Sequence, residues 1–192
     1  MKVKKIALFA SGSGTNVQNI IEYLSGNEQV VVDSVWSNNP GASVLERAGK
    51  LGVQTFTFTK EEFRNSGNVV AELKNRGVDL VVLAGFLWLI PINLIQNFPI
   101  INIHPALLPK YGGKGMYGMK VHQAVVDNQE KESGISIHFV NEHYDEGKII
   151  FQAKCGVLST DCAEDVAQKV HHLEYKHFPE VIEKVLLGTI KL

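Results

Sequence analysis

Phe98-Pro99-Ile100-Ile101-Asn102-Ile103-His104-Pro105 is the stretch on which the fold turns. An apolar, β-branched run closed by a proline reads as a strand over 98–103 that ends abruptly, because Pro105 has no N–H for a sheet ladder. Side chains two apart on a strand point the same way, so Asn102 and His104 share a face at its carboxyl end. Ligands of open α/β sheets bind in the crevice beyond those strand ends. An amide and an imidazole there can serve a carbonyl group as hydrogen-bond donor and proton carrier. The same two residues could instead cap a turn, and their surroundings decide between the readings.

Upstream of this strand, short β-branched runs alternate with helical patterns. Strands are expected at 6–10, 30–36, 55–59 and 80–84, and helices at about 16–24, 42–51 and 61–75, with Gly52 and Gly77 as stop signals. The fully apolar run 80–84 suits a central strand covered on both faces. Such alternation implies parallel strands joined by crossovers: an α/β, Rossmann-like fold with a mostly parallel sheet and helices on both faces. Downstream the character changes. Residues 110–119 hold four glycines and are expected to be non-rigid, a lid near the substrate. A helix follows at 119–127, then strands at 134–140 and 148–157 paired antiparallel across a turn near 145–147. A last helix starts near Ala163, with Val166, Val170, Leu173, Val181 and Val185 on one face and Pro179 as a possible bend.

Composition narrows the classes. With 192 residues and 45% hydrophobic content, the chain is read as one domain, 1–192, with a sizeable core. A net charge of -1 gives no basis for nucleic acid or a membrane surface as partner, and no apolar stretch reaches membrane-spanning length. Lys2, Lys4 and Lys5 read as a solvated start to the first strand. Cys155 and Cys162 match no disulfide framework or common zinc spacing, and no signal-peptide pattern is visible, so a cytoplasmic protein with reduced thiols is expected.

Ser11-Gly12-Ser13-Gly14-Thr15-Asn16 joins the first strand to its helix. Small residues there let backbone N–H groups approach an anion at a helix N-terminus, and Thr15 and Asn16 can cap the helix or donate to phosphate oxygens. A tight turn without a ligand is the competing reading. Val17 stands where a dinucleotide fingerprint wants a small residue, and the second strand ends in Trp36-Ser37-Asn38-Asn39 rather than an acid, so NAD(P) is disfavoured. Without a following Lys the turn is no P-loop. A phosphate monoester on a small metabolite is the natural ligand.

Asp145, within Tyr144-Asp145-Glu146-Gly147, lies in the turn between the two later strands. A carboxylate near His104 is expected to raise the imidazole pKa. Asn102, His104 and Asp145 together can run acyl transfer to an amine without a covalent intermediate. Asn102 would donate to the carbonyl oxygen, protonated His104 would stabilise the oxyanion, and Asp145 would hold the imidazolium and help move the amine proton. Asp145 beside Gly147 is also what many hairpin turns contain. His138 and His143 are read as packing or facing solvent, and at least two of His171, His172 and His177 as surface groups. No three convergent ligands suggest a metal.

Ser11 to Asn16, Leu83-Ala84-Gly85-Phe86, Asn102-Ile103-His104-Pro105-Ala106-Leu107-Leu108-Pro109, and His138-Phe139-Val140 followed by Asp145 together resemble the glycinamide ribonucleotide formyltransferase family of purine synthesis. The resemblance covers nearly the whole chain, and the Asn-x-His-Pro run with its downstream Asp is its most specific part. It implies the formyltransferase fold and formyl transfer from 10-formyltetrahydrofolate, a co-substrate, to the amine of 5-phospho-ribosylglycinamide, without a metal. It implies Asn102, His104 and Asp145 as catalytic residues. Gly14, Thr15 and Asn16 would hold the phosphate, and Glu174 the ribose hydroxyls. Leu87, Trp88, Leu89, Ile90, Asn141 and Tyr144, with Asn102 and Asp145, would surround the folate. Residues 1–103 would form the nucleotide-phosphate half and 104–192 the folate-binding and catalytic half of a monomer or homodimer. Two departures stand out: Trp88 where relatives often carry Arg, and Glu146 where Gly is common.

Overall fold

The computed structural model describes residues 2–65 and 67–190. Among them, seven strands form a single sheet: β1 (Lys4–Phe9), β2 (Val30–Ser37), β3 (Gln54–Thr57), β4 (Leu80–Leu83), β5 (Ile100–His104), β6 (Glu132–Phe139) and β7 (Ile149–Gly156), in the order β3-β2-β1-β4-β5-β6-β7. The β3 to β5 part is parallel. β6 then pairs antiparallel with both β5 and β7, so the expected antiparallel pair is a three-strand run that includes the Asn102–His104 strand. Helices α1 (Thr15–Tyr23), α2 (Ser43–Lys50), α3 (Lys60–Arg64), α4 (Asn68–Arg76), α5 (Ile92–Asn97), α6 (Met119–Asp127) and α7 (Ala163–Leu186) complete the fold.

The period of two along the strands builds two cores. Ile6 and Leu8 of β1 and Leu80 and Val82 of β4 face a layer containing Val17, Val44, Val125, Val170 and Phe178. Their neighbours Ala7, Phe9, Val81 and Leu83 face a second layer with Trp36, Phe58, Phe63, Leu73 and Leu94. That second layer is rich in rings; Phe9 stacks on Trp36 at 5.8 Å, and Phe63 meets Phe86 at 5.4 Å.

Three expectations need correction. The single helix over 61–75 is two, α3 and α4. Thr59 opens α3 with a capping box to Glu62, and Gly67, at φ 71, opens α4 in a left-handed conformation no continuous helix allows; Ser66 between them lies outside the described residues. α5 was not expected, although Pro91 at its start is a common first-turn signal. Lys4 and Lys5 are not simply solvated: Lys4 bonds Asp79 at 3.0 Å and Lys5 lies 3.4 Å from Asp33.

α7 runs through Pro179. A proline cannot donate to the carbonyl four residues earlier, which here belongs to Tyr175. Asn19 Nδ2 of α1 donates to that oxygen at 2.9 Å instead. The substitution ties α1 to α7. No helix among the described residues is long and apolar enough to cross a membrane.

Candidate active site

Strand order reverses between β1 and β4, and a crevice opens beyond their carboxyl ends. The two turns there are stitched together: Ser11 N donates to Gly85 O at 3.0 Å, and Leu87 N donates to Ser11 Oγ at 3.1 Å. A cleft of about 360 Å³ starts here and passes the end of β5. Every residue expected to act lines it: Gly14, Thr15, Asn16 and Glu174; Asn102, His104 and Asp145; and Leu87 to Ile90, Asn141 and Tyr144.

At the glycine-rich turn, Gly14 precedes α1 with φ 75, and a Cβ on it would stand 2.3 Å from Val44 Cγ2. Only glycine fits. No side chain caps the helix, so Thr15 and Asn16 do not take the capping role open to them, and the first-turn amides have no cap to satisfy them. Free amides at a helix N-terminus suit an anion. The Asn16 side chain is turned elsewhere: its Nδ2 donates to Glu174 Oε2 at 2.9 Å, the oxygen that also meets His171 Nδ1 at 2.8 Å. That bond raises the His171 pKa, burial opposing it. His171 is thus an ion-pair partner rather than an idle surface group.

At the carboxyl end of β5, register does the work. Antiparallel pairing sets Asn102 opposite His138 and His104 opposite Ser136, so all four share one face. Ser136 Oγ accepts from Leu108 N at 2.9 Å and donates to Ala106 O at 2.7 Å, which folds the segment after β5 back over the strand. The hairpin between β6 and β7 is held tight by Gly147, where a Cβ would collide with Phe139 O. It delivers Asp145, itself at φ 58, against both imidazoles. Asp145 Oδ2 lies 3.5 Å from His104 Nδ1, and Oδ1 lies 3.5 Å from His138 Nε2.

The remaining bonds assign protons. A carbonyl only accepts, so the 2.8 Å contact of His104 Nε2 with Tyr111 O places a proton on Nε2. By the same argument His138 donates from Nδ1 to Phe139 O at 2.9 Å. In the neutral ring Nε2 of His138 then accepts from Asn102 Nδ2 at 3.1 Å, which fixes which edge of the Asn102 amide faces the cleft. Asn102 Nδ2 also lies 3.4 Å from Asp145 Oδ1. His138 is the residue sequence reasoning missed; strand alternation put it on a definite face, but only the pairing with β5 shows what it touches.

Electrostatics correct one expectation. Burial pushes the His104 pKa down, and although the Asp145 charge and the Tyr111 carbonyl pull upward, the net shift is downward. The ring therefore rests neutral, not protonated. Burial alone would raise the Asp145 pKa, but the His138 ring, the His104 ring and the Gly113 amide outweigh it and hold the carboxyl below its ordinary value. Asp145 stays ionised. Gly113 N donates to its Oδ2 at 2.9 Å, and Tyr111 OH donates to Glu130 at 2.9 Å, so residues 111–113 of the glycine-rich loop are tied down rather than loose. Residues 114, 115 and 117–119 are exposed.

The wall after β4 is apolar. Trp88 is half-buried and meets Phe58 at 6.2 Å and Phe63 at 5.9 Å, extending the ring cluster to the cleft wall. Leu87 is exposed, Tyr144 is half-buried, and Asn141 Oδ1 accepts from His143 N at 3.0 Å, shaping the hairpin. Glu146 is exposed.

The formyl transferase family model matches residues 4–182. The chain belongs to the formyl transferase family. It is 42% identical to the chloroplastic phosphoribosylglycinamide formyltransferase of Arabidopsis thaliana over 98% of its length, and spans 67% of that protein; the Vigna unguiculata counterpart is 41% identical and 60% spanned. The Haemophilus influenzae phosphoribosylglycinamide formyltransferase is 36% identical, with 99% of this chain and 91% of that one covered. The crystal structure of the enzyme of that name from Anaplasma phagocytophilum superposes with a TM-score of 0.87 at 30% identity, covering 100% of this chain and 91% of the other. Every cleft residue named above lies within the matched span. Among the described residues, no group of three His, Cys, Asp or Glu could hold a metal ion in this formyl transferase.

Proposed function

We propose that the enzyme transfers the formyl group of 10-formyltetrahydrofolate to the primary amine of 5-phospho-ribosylglycinamide, giving N-formylglycinamide ribonucleotide and tetrahydrofolate in de novo purine synthesis. One observation carries the reading: a single cleft is lined together by the α1 N-terminus, Glu174, the trio Asn102, His104 and Asp145, and the apolar wall at 87–90. An acceptor with an anionic end, a diol and an amine suits the first three of these. A flat aromatic donor suits the last. The names of the relatives support the same assignment. Glu174 comes from the second half of the chain and 87–90 from the first, and both line the one cleft, so the fold acts as one domain. The free thiols Cys155 and Cys162 suit the cytoplasm.

Asn102 gives up its long 3.4 Å contact with Asp145 and donates to the formyl oxygen, while His138 keeps the NH₂ edge inward. His104 begins neutral, with Nδ1 bare. Nδ1 takes the proton shed by the attacking amine, directly or through water, and the imidazolium then sits between the Asp145 carboxylate and the Tyr111 carbonyl, close to the oxyanion. The ring returns that proton to the departing folate nitrogen. One C–N bond forms, one breaks, and the amine proton ends on the leaving group.

Steady-state turnover with 10-formyltetrahydrofolate and three acceptors, phosphoribosylglycinamide, water and formylatable tRNA, tests the assignment. Turnover is expected with the first alone; comparable rates with water or tRNA would overturn it.

A further inference from the structure

The proposed chemistry leaves one buried imidazole without a task. His122 on α6 is 1% exposed and forms part of the cleft wall. Its Nδ1 is sealed and has no hydrogen-bond partner. Native interiors pair nearly all such atoms, so an unpaired one demands an explanation. Burial, reinforced by the neighbouring His171, pushes the His122 pKa down to about 4, so the ring is neutral at pH 7 and carries one proton. A bare lone pair is the cheaper group to leave unpaired at Nδ1, which puts the proton on Nε2. With Nδ1 sealed, Nε2 is also the one ring nitrogen that can meet a ligand.

The neighbours define what that ligand group is. The His171 ring lies 6.1 Å away, and His171 and Asn16 both bond Glu174 Oε2. Asn16 has its own Oδ1 buried and unpaired beside that carboxylate. The charges His122 feels most are His171 and Glu174, and after them His104. The ring therefore lies within electrostatic reach of both the Glu174 carboxylate and the reacting imidazole. A carboxylate only accepts, so a hydroxyl that donates to Glu174 still has lone pairs to satisfy, and an N–H beside it completes the arrangement.

We propose that His122 is a positioning residue of the acceptor site, its Nε2–H donating to a ribose hydroxyl that itself donates to Glu174. The inference rests on the acceptor being a phosphoribosyl amine, and it names the side chain that reads the sugar.

Two variants, His122→Leu and His122→Gln, are assayed with phosphoribosylglycinamide and with its analogue lacking both ribose hydroxyls. His122→Leu is expected to raise the acceptor KM about tenfold, the size of one neutral hydrogen bond, with kcat within about twofold and the folate KM unchanged. His122→Gln, whose amide can place an N–H near the Nε2 position, recovers part of the loss. On the dihydroxyl-free analogue, wild type and variants should be indistinguishable. An unchanged acceptor KM, an equal penalty on the analogue, or a loss falling on kcat and folate KM would each overturn the proposal. Circular-dichroism melting accompanies each variant; should the Leu variant fail to fold, the Gln variant against the analogue gives the same comparison. Wild-type turnover separates the two levels: no formylation of phosphoribosylglycinamide sinks the function, whereas normal wild-type turnover with indifferent variants sinks only the role of His122.

Discussion

Replacing Asp145 by Asn removes one negative charge and almost no volume. The backbone there sits at φ 58, a left-handed conformation that Asn and Asp adopt more readily than other non-glycine residues. Asn keeps the turn where Ala would add strain. Polarity is what changes. Oδ2 accepts from Gly113 N at 2.9 Å and lies 3.5 Å from His104 Nδ1, while Oδ1 lies 3.4 Å from Asn102 Nδ2 and 3.5 Å from His138 Nε2. An amide has one oxygen and one NH₂, so either orientation sets a donor against a donor: the Gly113 amide in one, the Asn102 amide in the other.

The larger effect falls on the charged intermediate. Two unit charges at the 3.5 Å of the His104–Asp145 contact attract by about 5 kcal/mol at an effective dielectric of 20. Both side chains are nearly sealed, 5% and 11% exposed, so solvent screens little of it. Relaxation and the substitute amide dipole return part, leaving about 3–4 kcal/mol, or roughly 10²- to 10³-fold in kcat. Acceptor KM should move much less, because resting His104 is neutral and offers that carboxylate no full charge. Steady-state kinetics against both substrates, with thermal melting as the control for folding, reads the result. A folded Asp145→Asn enzyme with kcat within tenfold of wild type would show that no imidazolium forms against this carboxylate.

Other consequences can be measured separately. His138→Ala frees the Asn102 amide to rotate and should lower kcat by about 10- to 100-fold, the scale of a misplaced oxyanion donor, with acceptor KM within twofold; unchanged kcat would disconnect His138 from Asn102. Gly14→Ala forces a Cβ to within 2.3 Å of Val44 Cγ2 at φ 75, which should cost about 2–3 kcal/mol and lower the melting temperature by roughly 5–10 °C; wild-type melting would refute the close approach. His122 has its folded pKa at about 4 against an ordinary 6.5, so between those values the unfolded chain takes up a proton that the folded chain refuses. Its share of stability is complete above pH 6.5 and falls by about 3 kcal/mol as pH drops toward 4, and the lowered His104 acts in the same direction. Denaturant midpoints at pH 7 and 4.5 should therefore diverge less in His122→Leu than in wild type; equal acid sensitivity would argue against a buried neutral ring.

Local patterns carried most of the fold, and long-range register carried most of the site. Alternating β-branched runs and helical periods are properties of adjacent residues, so the parallel β3 to β5 layer was legible. The break at Gly67 and the short helix after Pro91 were signalled by single residues within otherwise ambiguous runs. His138 was placed on a strand but given no partner, because its contact with Asn102 exists only through the antiparallel pairing of β5 and β6. The sign of the His104 shift failed for a related reason: a carboxylate in the sequence suggests attraction, whereas the amount of water removed is set by the packed fold. Four glycines suggested a loose loop, yet its base is held by Asp145, 32 residues away, through Gly113.

The switch of strand direction between β5 and β6 explains why the proposed chemistry falls there. A wholly parallel sheet would need a crossover helix beyond β5, and that connection would not bring a hairpin back across the strand's carboxyl end. Running β6 antiparallel sets His138 beside Asn102 and returns the chain so that Asp145 lies against His104. The acceptor end depends on a second long-range joint. Because Pro179 withdraws a donor from the Tyr175 carbonyl and Asn19 replaces it, α7 is locked to α1 at a fixed height, and that same height lets Asn16, one turn earlier, reach Glu174. The helix that offers its N-terminus to an anion is thereby coupled to the carboxylate that would take the sugar. A change at Pro179 or Asn19, remote from the reacting atoms, should accordingly be felt in the acceptor KM before it is felt in kcat.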